Sequence, residues 1–459
     1  MPMDSRRERN PVAPLSSAKD LPLKRQIGLY AATAITVGSI IGSGIFRSPH
    51  SVAHELSSAP LALLAWILGG ILSMCGSFAL AEMAVTHPRT GGLYVFIRES
   101  FGDRLGFVFG WASLWVIKPT VIASITTVFA TYFCQAVGLP KGAEFTAGFC
   151  AITVLTFVNL LGVREGTRTQ TILTTLKVVG ILGVCAAAFL LPHTGAPADQ
   201  AAPRGLTAHP FLLAFAFAMI PIFFAYDGWT DSTYVGGEVV KPERNMPIAI
   251  LGGTLLVVVV YVLTNLAYYT VLTPAEVGTY EAVGAETMRR VLGDWGSRAL
   301  AVLVAVSTFG TVNASVLTGP RVTLAMAADG LFWKRAAHVN VKRQTPDVAL
   351  VLQGVLSVVW LWFARGFEDV SGWFVTTSWL FYGLTVAGLF VYRRREREGS
   401  IAAPSYRTPL YPFTPLVFIL VTVAIVASDL SSSGWRAAAG VFVAALGVPF
   451  SYFWLRRRA

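Results

Sequence analysis

Three features of this sequence could do chemistry. Residues 37–46 read VGSIIGSGIF, which sets Gly38, Gly42 and Gly44 with Ser39 and Ser43 inside an otherwise apolar run. Residues 211–226 read FLLAFAFAMIPIFFAY, and Asp227, Gly228, Trp229, Thr230 and Asp231 follow at once. Lys177 stands alone in QTILTTLKVVGILGV. A Gly inside a helix costs about 1 kcal/mol relative to Ala, and a charge at membrane depth is expensive unless it faces protein or water. Such residues persist either because another helix packs closely on them or because the helix is broken. A break leaves N–H groups unsatisfied at the start of its second half and C=O groups at the end of its first. The N–H end suits an anion, strengthened by the helix dipole, and the C=O end suits a cation. Amino acids present a carboxylate and an ammonium together, and fit both ends.

Other chemistries lack their parts. His50, His54, His87, His193, His209 and His338 are scattered near span ends and in loops, so no nucleophile–base pair or helical His/Glu motif assembles for an enzyme. No Cys/His cluster exists for a metal, and no cofactor is implied. Cys75, Cys134, Cys150 and Cys185 all fall in apolar stretches, so no extracellular disulfide is expected.

The elements that must position these residues are membrane spans. Of 459 residues, 54% are hydrophobic and 13% charged, against about 25% charged in a typical soluble domain. Apolar stretches long enough to cross a bilayer recur along the chain. Twelve are expected, at about 27–54, 60–86, 105–137, 146–163, 170–191, 209–239, 246–273, 297–328, 346–365, 370–392, 411–429 and 434–455. No loop between them is large enough for a soluble domain, so the chain reads as an all-α polytopic membrane protein. Residues 1–26 read as a polar cytoplasmic tail. The first stretch is too long for a removable signal.

The net charge of +11 follows topology. With the amino terminus inside, 25 of the 36 Lys and Arg fall in cytoplasmic segments, including RRRER at 393–397 and RRR at 456–458. Eight fall outside, and Lys118, Lys177 and Arg321 lie within spans. This is the positive-inside bias, and it places both termini and the 392–410 loop in the cytoplasm of a cell-membrane protein. Nucleic acid is excluded as a partner; the expected partners are the lipid bilayer and a small substrate, with no obligatory protein partner evident.

Span 6 repeats the interruption of span 1 after a block of five spans. A matched pair of interrupted segments points to an inverted-repeat transporter. VGSIIGSGIF, FFAYDGWTDSTYVGGEVVKPERNMPIAI and GPRVTLAMAADG resemble the amino acid–polyamine–organocation (APC) superfamily of permeases. They are most similar to the L-type amino acid transporters and their bacterial relatives. The resemblance covers spans 1 to 10. It implies the five-plus-five inverted-repeat, leucine-transporter-like fold, with repeats at 27–191 and 209–395, helices 1 and 6 broken, and helices 11–12 (411–456) appended.

It also implies roles. The substrate carboxylate would lie on the amides and hydroxyls around Ser39, Gly42, Ser43 and Gly44. The ammonium would lie on the carbonyls of Ile40 or Ile41, Phe224 and Ala225, beside Gly228, with Phe224 as an aromatic outer gate. Lys177 matches the lysine of sodium-independent members, which replaces a bound sodium ion against helix 1. Asn313 lies in the span 8 stretch expected beside that lysine. Glu82, Glu238 and Arg321 look like an intracellular ion-pair gate. Lys118, before Pro119 in span 3, matches a basic residue of the L-type transporters, with either a structural bond or coupling open to it. Asp227 departs from the animal L-type pattern, which has Gly there. It could cap the second half of helix 6, pair with an ammonium, or carry a proton. The expectation is a secondary active amino acid transporter, by sodium-independent uptake or exchange of neutral L-amino acids. The alternatives are proton-coupled symport and transport of polyamines or other amines.

Overall fold

The computed structural model describes residues 21–192, 210–364, 367–432 and 435–456. Most of the polar tail (residues 1–20), His193, His209 and Arg457–Arg458 lie outside the described residues. Helices make up the fold, and the described residues contain no β-strand, only two isolated bridges, Ile27 with Val239 and Asn340 with Thr345. In hydrocarbon each backbone polar group must be bonded within its own segment, which long apolar helices achieve.

The first two helices are α1 (Leu29–Ile40) and α2 (Gly44–Glu55), followed by α3 (Ala59–Thr86), α4 (Leu93–Phe101) and α5 (Asp103–Ala112). A π-helical turn, Ser113–Ile117, joins α5 to α6 (Lys118–Val137). Next come α7 (Glu144–Leu161), α8 (Val163–Leu190), α9 (Phe211–Ala225), α10 (Asp231–Tyr234), α11 (Pro242–Pro247) and α12 (Gly253–Val271). The short α13 (Pro274–Val277) precedes α14 (Val283–Thr318), which is kinked at Gly293, and α15 (Pro320–Ala328). The chain continues through α16 (Asp347–Phe363), α17 (Phe367–Arg397), α18 (Phe413–Ser432) and α19 (Trp435–Arg456).

Among the described residues, ten helical segments are long and apolar enough to cross a membrane. Two further apolar helices, Phe211–Ala225 and Asp347–Phe363, are shorter. The first is short because its run stops at Ala225, before Asp227. Large apolar side chains such as Phe157, Leu190, Leu212 and Trp362 point outward, as a surface solvated by lipid permits. The interior holds many buried hydroxyl and amide side chains. Several of the hydroxyls bond the carbonyl four residues back, as Ser73, Thr254 and Thr264 do. All four cysteines are free.

At the centre, α14 packs on α6 and α8, α1 on α8, α12 and α14, and α2 on α9. The segment before α1 pairs with the segment after α10: Gln26 and Ile27 N–H groups donate to the Glu238 carbonyl at 2.8 and 2.9 Å, and Val240 N–H donates to the Ile27 carbonyl at 2.9 Å. The two interrupted stretches are thereby drawn side by side.

Candidate functional site

The helical hydrogen bonds of α1 end at Ile40. Ile41 is extended (φ −75°, ψ 91°), and helix resumes at Gly44 with no side chain capping its amides. In the second interrupted stretch α9 ends at Ala225, residues 226–230 form turns, and α10 begins at Asp231. Two glycines let these breaks touch. A Cβ on Gly44 would lie 2.5 Å from Ala225 Cα. Gly228 has φ +113°, and a Cβ there would lie 2.6 Å from the Ser39 carbonyl carbon. Side chains at either place would drive the two chains apart.

Between the breaks lies a cavity with about 540 Å³ of space free of atoms, open solvent included. Ser39, Ile40, Gly42, Ser43 and Gly44 form one wall, and Phe224, Ala225, Asp227, Gly228 and Asp231 another. Lys118, Val121 and Ile125 come from α6, Thr311 and Ser315 from α14, and Phe374 and Tyr382 from α17. Ser39 Oγ, Ser43 Oγ and Asp227 Oδ1 are buried without a hydrogen-bond partner. Buried polar atoms are nearly always bonded, so three unpaired ones around one cavity mark groups available to a ligand. Tyr382 is within side-chain hydrogen-bond reach of Asp227. No side chain caps the start of α10.

Lys177, fully buried, donates to the carbonyls of Gly38 at 3.0 Å and Ile41 at 2.6 Å, and to Thr311 Oγ1 at 3.0 Å. Thr311 and Ser307 also reach these carbonyls and that of Gly42. An ammonium surrounded by the carbonyl end of a helix satisfies the orphan acceptors left by the break. The Tyr261 hydroxyl lies 3.0 Å from the carbonyl oxygens of both Ile40 and Ala225, so one group bridges both breaks. Phe224 is half-buried on the cavity wall and meets Phe374 edge to face, with centroids 6.4 Å apart.

The three expected gate residues separate into two pairs. Arg321 donates to both carboxylate oxygens of Glu238 at 2.9 and 3.0 Å, with both side chains buried, and also bonds the Leu317 carbonyl. Glu82 joins neither. It accepts from Arg393 Nη2 at 2.9 Å and from the Thr408 amide at 2.7 Å. Its position on α3 puts it against the end of α17 and the loop that follows. Asn313 is not among the hydrogen-bond partners of Lys177. It accepts from Asn159 and donates to Gln170, each at 2.9 Å, while Thr311, two residues earlier, meets the lysine.

Two features go beyond the sequence reading: the partner of the structural bond left open for Lys118, and Tyr261. Lys118 Nζ lies 2.8 Å from Asp231 Oδ1, a pairing suggested only by the presence of opposite charges in two spans. Tyr261 gave no signal, because a tyrosine in an apolar helix reads as core. Among the described residues, no group of three or more His, Cys, Asp or Glu could hold a metal ion.

These features define a polytopic membrane protein with an internal polar cavity between two helix interruptions, the architecture of a solute carrier. A family model described as "Amino acid permease" matches residues 27–448. The chain is 30% identical over 444 residues to the serine/threonine exchanger SteT of Bacillus subtilis (strain 168), covering 96% of this chain and 99% of the relative. It is 33% identical over 439 residues to the b(0,+)-type amino acid transporter 1 of Rattus norvegicus, covering 94% and 88%. It is 34% identical over 452 residues to the large neutral amino acids transporter small subunit 2 of Mus musculus, covering 95% and 82%. The chain belongs to the amino acid permease family.

Proposed function

We propose that this permease carries out sodium-independent uptake or exchange of neutral L-amino acids by alternating access. In this reading it crosses the cell membrane twelve times, with both termini cytoplasmic. Residues 27–191 and 209–395 are inverted repeats, and 411–456 adds two helices. It transports its substrate unchanged rather than acting as an enzyme.

The observation that carries the reading is Lys177. A fixed ammonium against the Gly38 and Ile41 carbonyls occupies a cage of the kind that would otherwise take a free cation. The substrate carboxylate lies at the uncapped start of α2, with Ser39 and Ser43 as further donors; Gly42 and Gly44 bring backbone close to the ligand. The ammonium lies toward the carbonyls of Ile40, Phe224 and Ala225, with Tyr261 yielding part of its bonding to the ligand. Phe224 closes the outer side, and the buried Glu238–Arg321 pair the inner side; Glu82 and Asn313 act by holding helices together. The exchange reading draws on the bacterial relative, which is named an exchanger.

Reconstitution tests this. Radiolabelled neutral amino acids should enter proteoliposomes equally well with sodium or choline outside, and faster when unlabelled amino acid is inside. Strict sodium dependence overturns the reading. This reading includes no obligatory protein partner. One mammalian relative is named a small subunit, and the purified chain transporting by itself is the corresponding test.

A further inference from the structure

The cavity wall carries a second set of charges besides Asp227. Lys118 Nζ lies 2.8 Å from Asp231 Oδ1, and each side chain is only 7% exposed. Both residues line the cavity. The ammonium also sits 4.5 Å from the centre of the Tyr234 ring, and Thr318 Oγ1 donates to Asp231 Oδ2 at 3.3 Å. Lys118 follows directly on the π-helical turn Ser113–Ile117. Such turns shift the register of the following residues and recur at functional sites. Asp231 opens α10, four residues beyond Asp227, and both members of the pair lie within electrostatic reach of Asp227.

We propose that the Lys118–Asp231 pair determines the charge selectivity of the substrate side-chain subsite. The two charges cancel at contact distance, so together they present the bound side chain with no net charge. In a wall of low dielectric an uncancelled charge would act strongly on a charged side chain, and a like charge facing it is rejected. Asp227 is kept in every variant below, so the variants differ only in the charges of the pair. Losing Lys118 makes the wall one charge more negative; losing the Asp231 charge makes it one more positive. The pair therefore favours neutral side chains by the absence of a surplus, and each partner is needed for that. The proposal rests on the reading of this cavity as the amino acid site.

The test is competition against uptake of one radiolabelled neutral amino acid by the full chain in proteoliposomes. Competitors are neutral, cationic (lysine, ornithine) and anionic (aspartate, glutamate) amino acids. In Lys118→Met the potency of cationic relative to neutral competitors should rise on the order of tenfold. In Asp231→Asn the relative potency of anionic competitors should rise by a similar factor. Lys118→Met/Asp231→Asn and Lys118→Arg should both keep the wild-type ratios. A merely structural pair would lower uptake without reordering competitors by charge. Unchanged ratios in the single variants overturn the proposal, as does a shift of the same sign in both. Asp231→Asn is near-isosteric and carries the test if Lys118→Met does not reach the membrane. Wild-type protein that takes up no amino acid would sink the reading of the cavity itself. Wild-type uptake of neutral substrates, with variants blind to charge, sinks only the role of the pair.

Discussion

The α1–α2 break and the α9–α10 break face one cavity, and each is held by a lysine from another helix, but the two lysines meet different partners. Lys177 bonds backbone carbonyls and a threonine hydroxyl, with no carboxylate among its hydrogen bonds. Lys118 bonds the carboxylate of Asp231. A carbonyl cage holds an amine through hydrogen bonds to backbone acceptors and supplies no opposite charge. The Lys118–Asp231 contact is a closed electrostatic joint. At the first break the lysine meets only neutral acceptors, and at the second it meets an opposite charge that cancels its own. Tyr261 couples them, since its hydroxyl is shared between Ile40 and Ala225.

The comparison can be broken most sharply at Lys177. Lys177→Met should reduce uptake at least about a hundredfold while the protein still inserts, because the buried carbonyls of Gly38 and Ile41 lose their charged donor and unmade buried bonds are expensive. Uptake in proteoliposomes and gel filtration of the detergent-solubilised protein would read this; near-normal transport would remove the distinction drawn between the lysines. Next in size is the contact between the breaks. Gly44→Ala and Gly228→Ala should each lower stability by roughly 1–3 kcal/mol through overpacking, seen as a fall in melting temperature in detergent. Gly228→Ala adds a left-handed backbone that alanine adopts poorly.

A smaller effect is expected at the coupling group. Tyr261→Phe removes one hydroxyl and should weaken apparent substrate affinity by up to about tenfold, in keeping with a hydrogen bond worth about 0.5–1.5 kcal/mol. An unchanged affinity would mean the two breaks are not coupled there. Asp227→Asn separates the acid's readings: neutral amino acids should remain substrates, with apparent affinity altered about threefold or less, since a neutral amide still fills the wall. Loss of pH-gradient stimulation alone in this variant would assign Asp227 to a proton instead.

The smallest effect is a control far from both breaks. Arg290 Nη2 donates to Glu276 at 2.6 Å, and this bond, with those from Thr273, holds the Glu276 carboxyl below its ordinary value. A carboxyl depressed in the folded state adds stability above its unfolded value, about 4.3, and that stability is lost as pH falls through the folded value. Arg290→Ala should therefore lower stability by less than about 1 kcal/mol at neutral pH, with the difference from wild type shrinking on acidification. An effect equal to that of Gly44→Ala would show that the loop and the breaks are not energetically separate.

The sequence by itself determined the class, the approximate span positions and both interruptions. Each of these is local: apolar run length sets a span, while Gly38, Gly42 and Gly44 or Asp227 and Gly228 mark its interruption in place. It also pointed to Lys177, because a lone charge in an apolar stretch demands a partner. What it could not supply was which partner. Glu82 looks as suited to Arg321 as Glu238 does, yet Arg321 takes Glu238 and Arg393 takes Glu82. Asn313 and Thr311 are equally good candidates by residue type for Lys177, yet a two-residue step along α14 turns Asn313 toward Asn159 and Gln170. Tyr261 becomes more than a core tyrosine only when α12 lies beside both interrupted helices. Pairings among helices far apart in sequence depend on rotation and crossing, which residue type does not encode locally, so tertiary packing alone decided them.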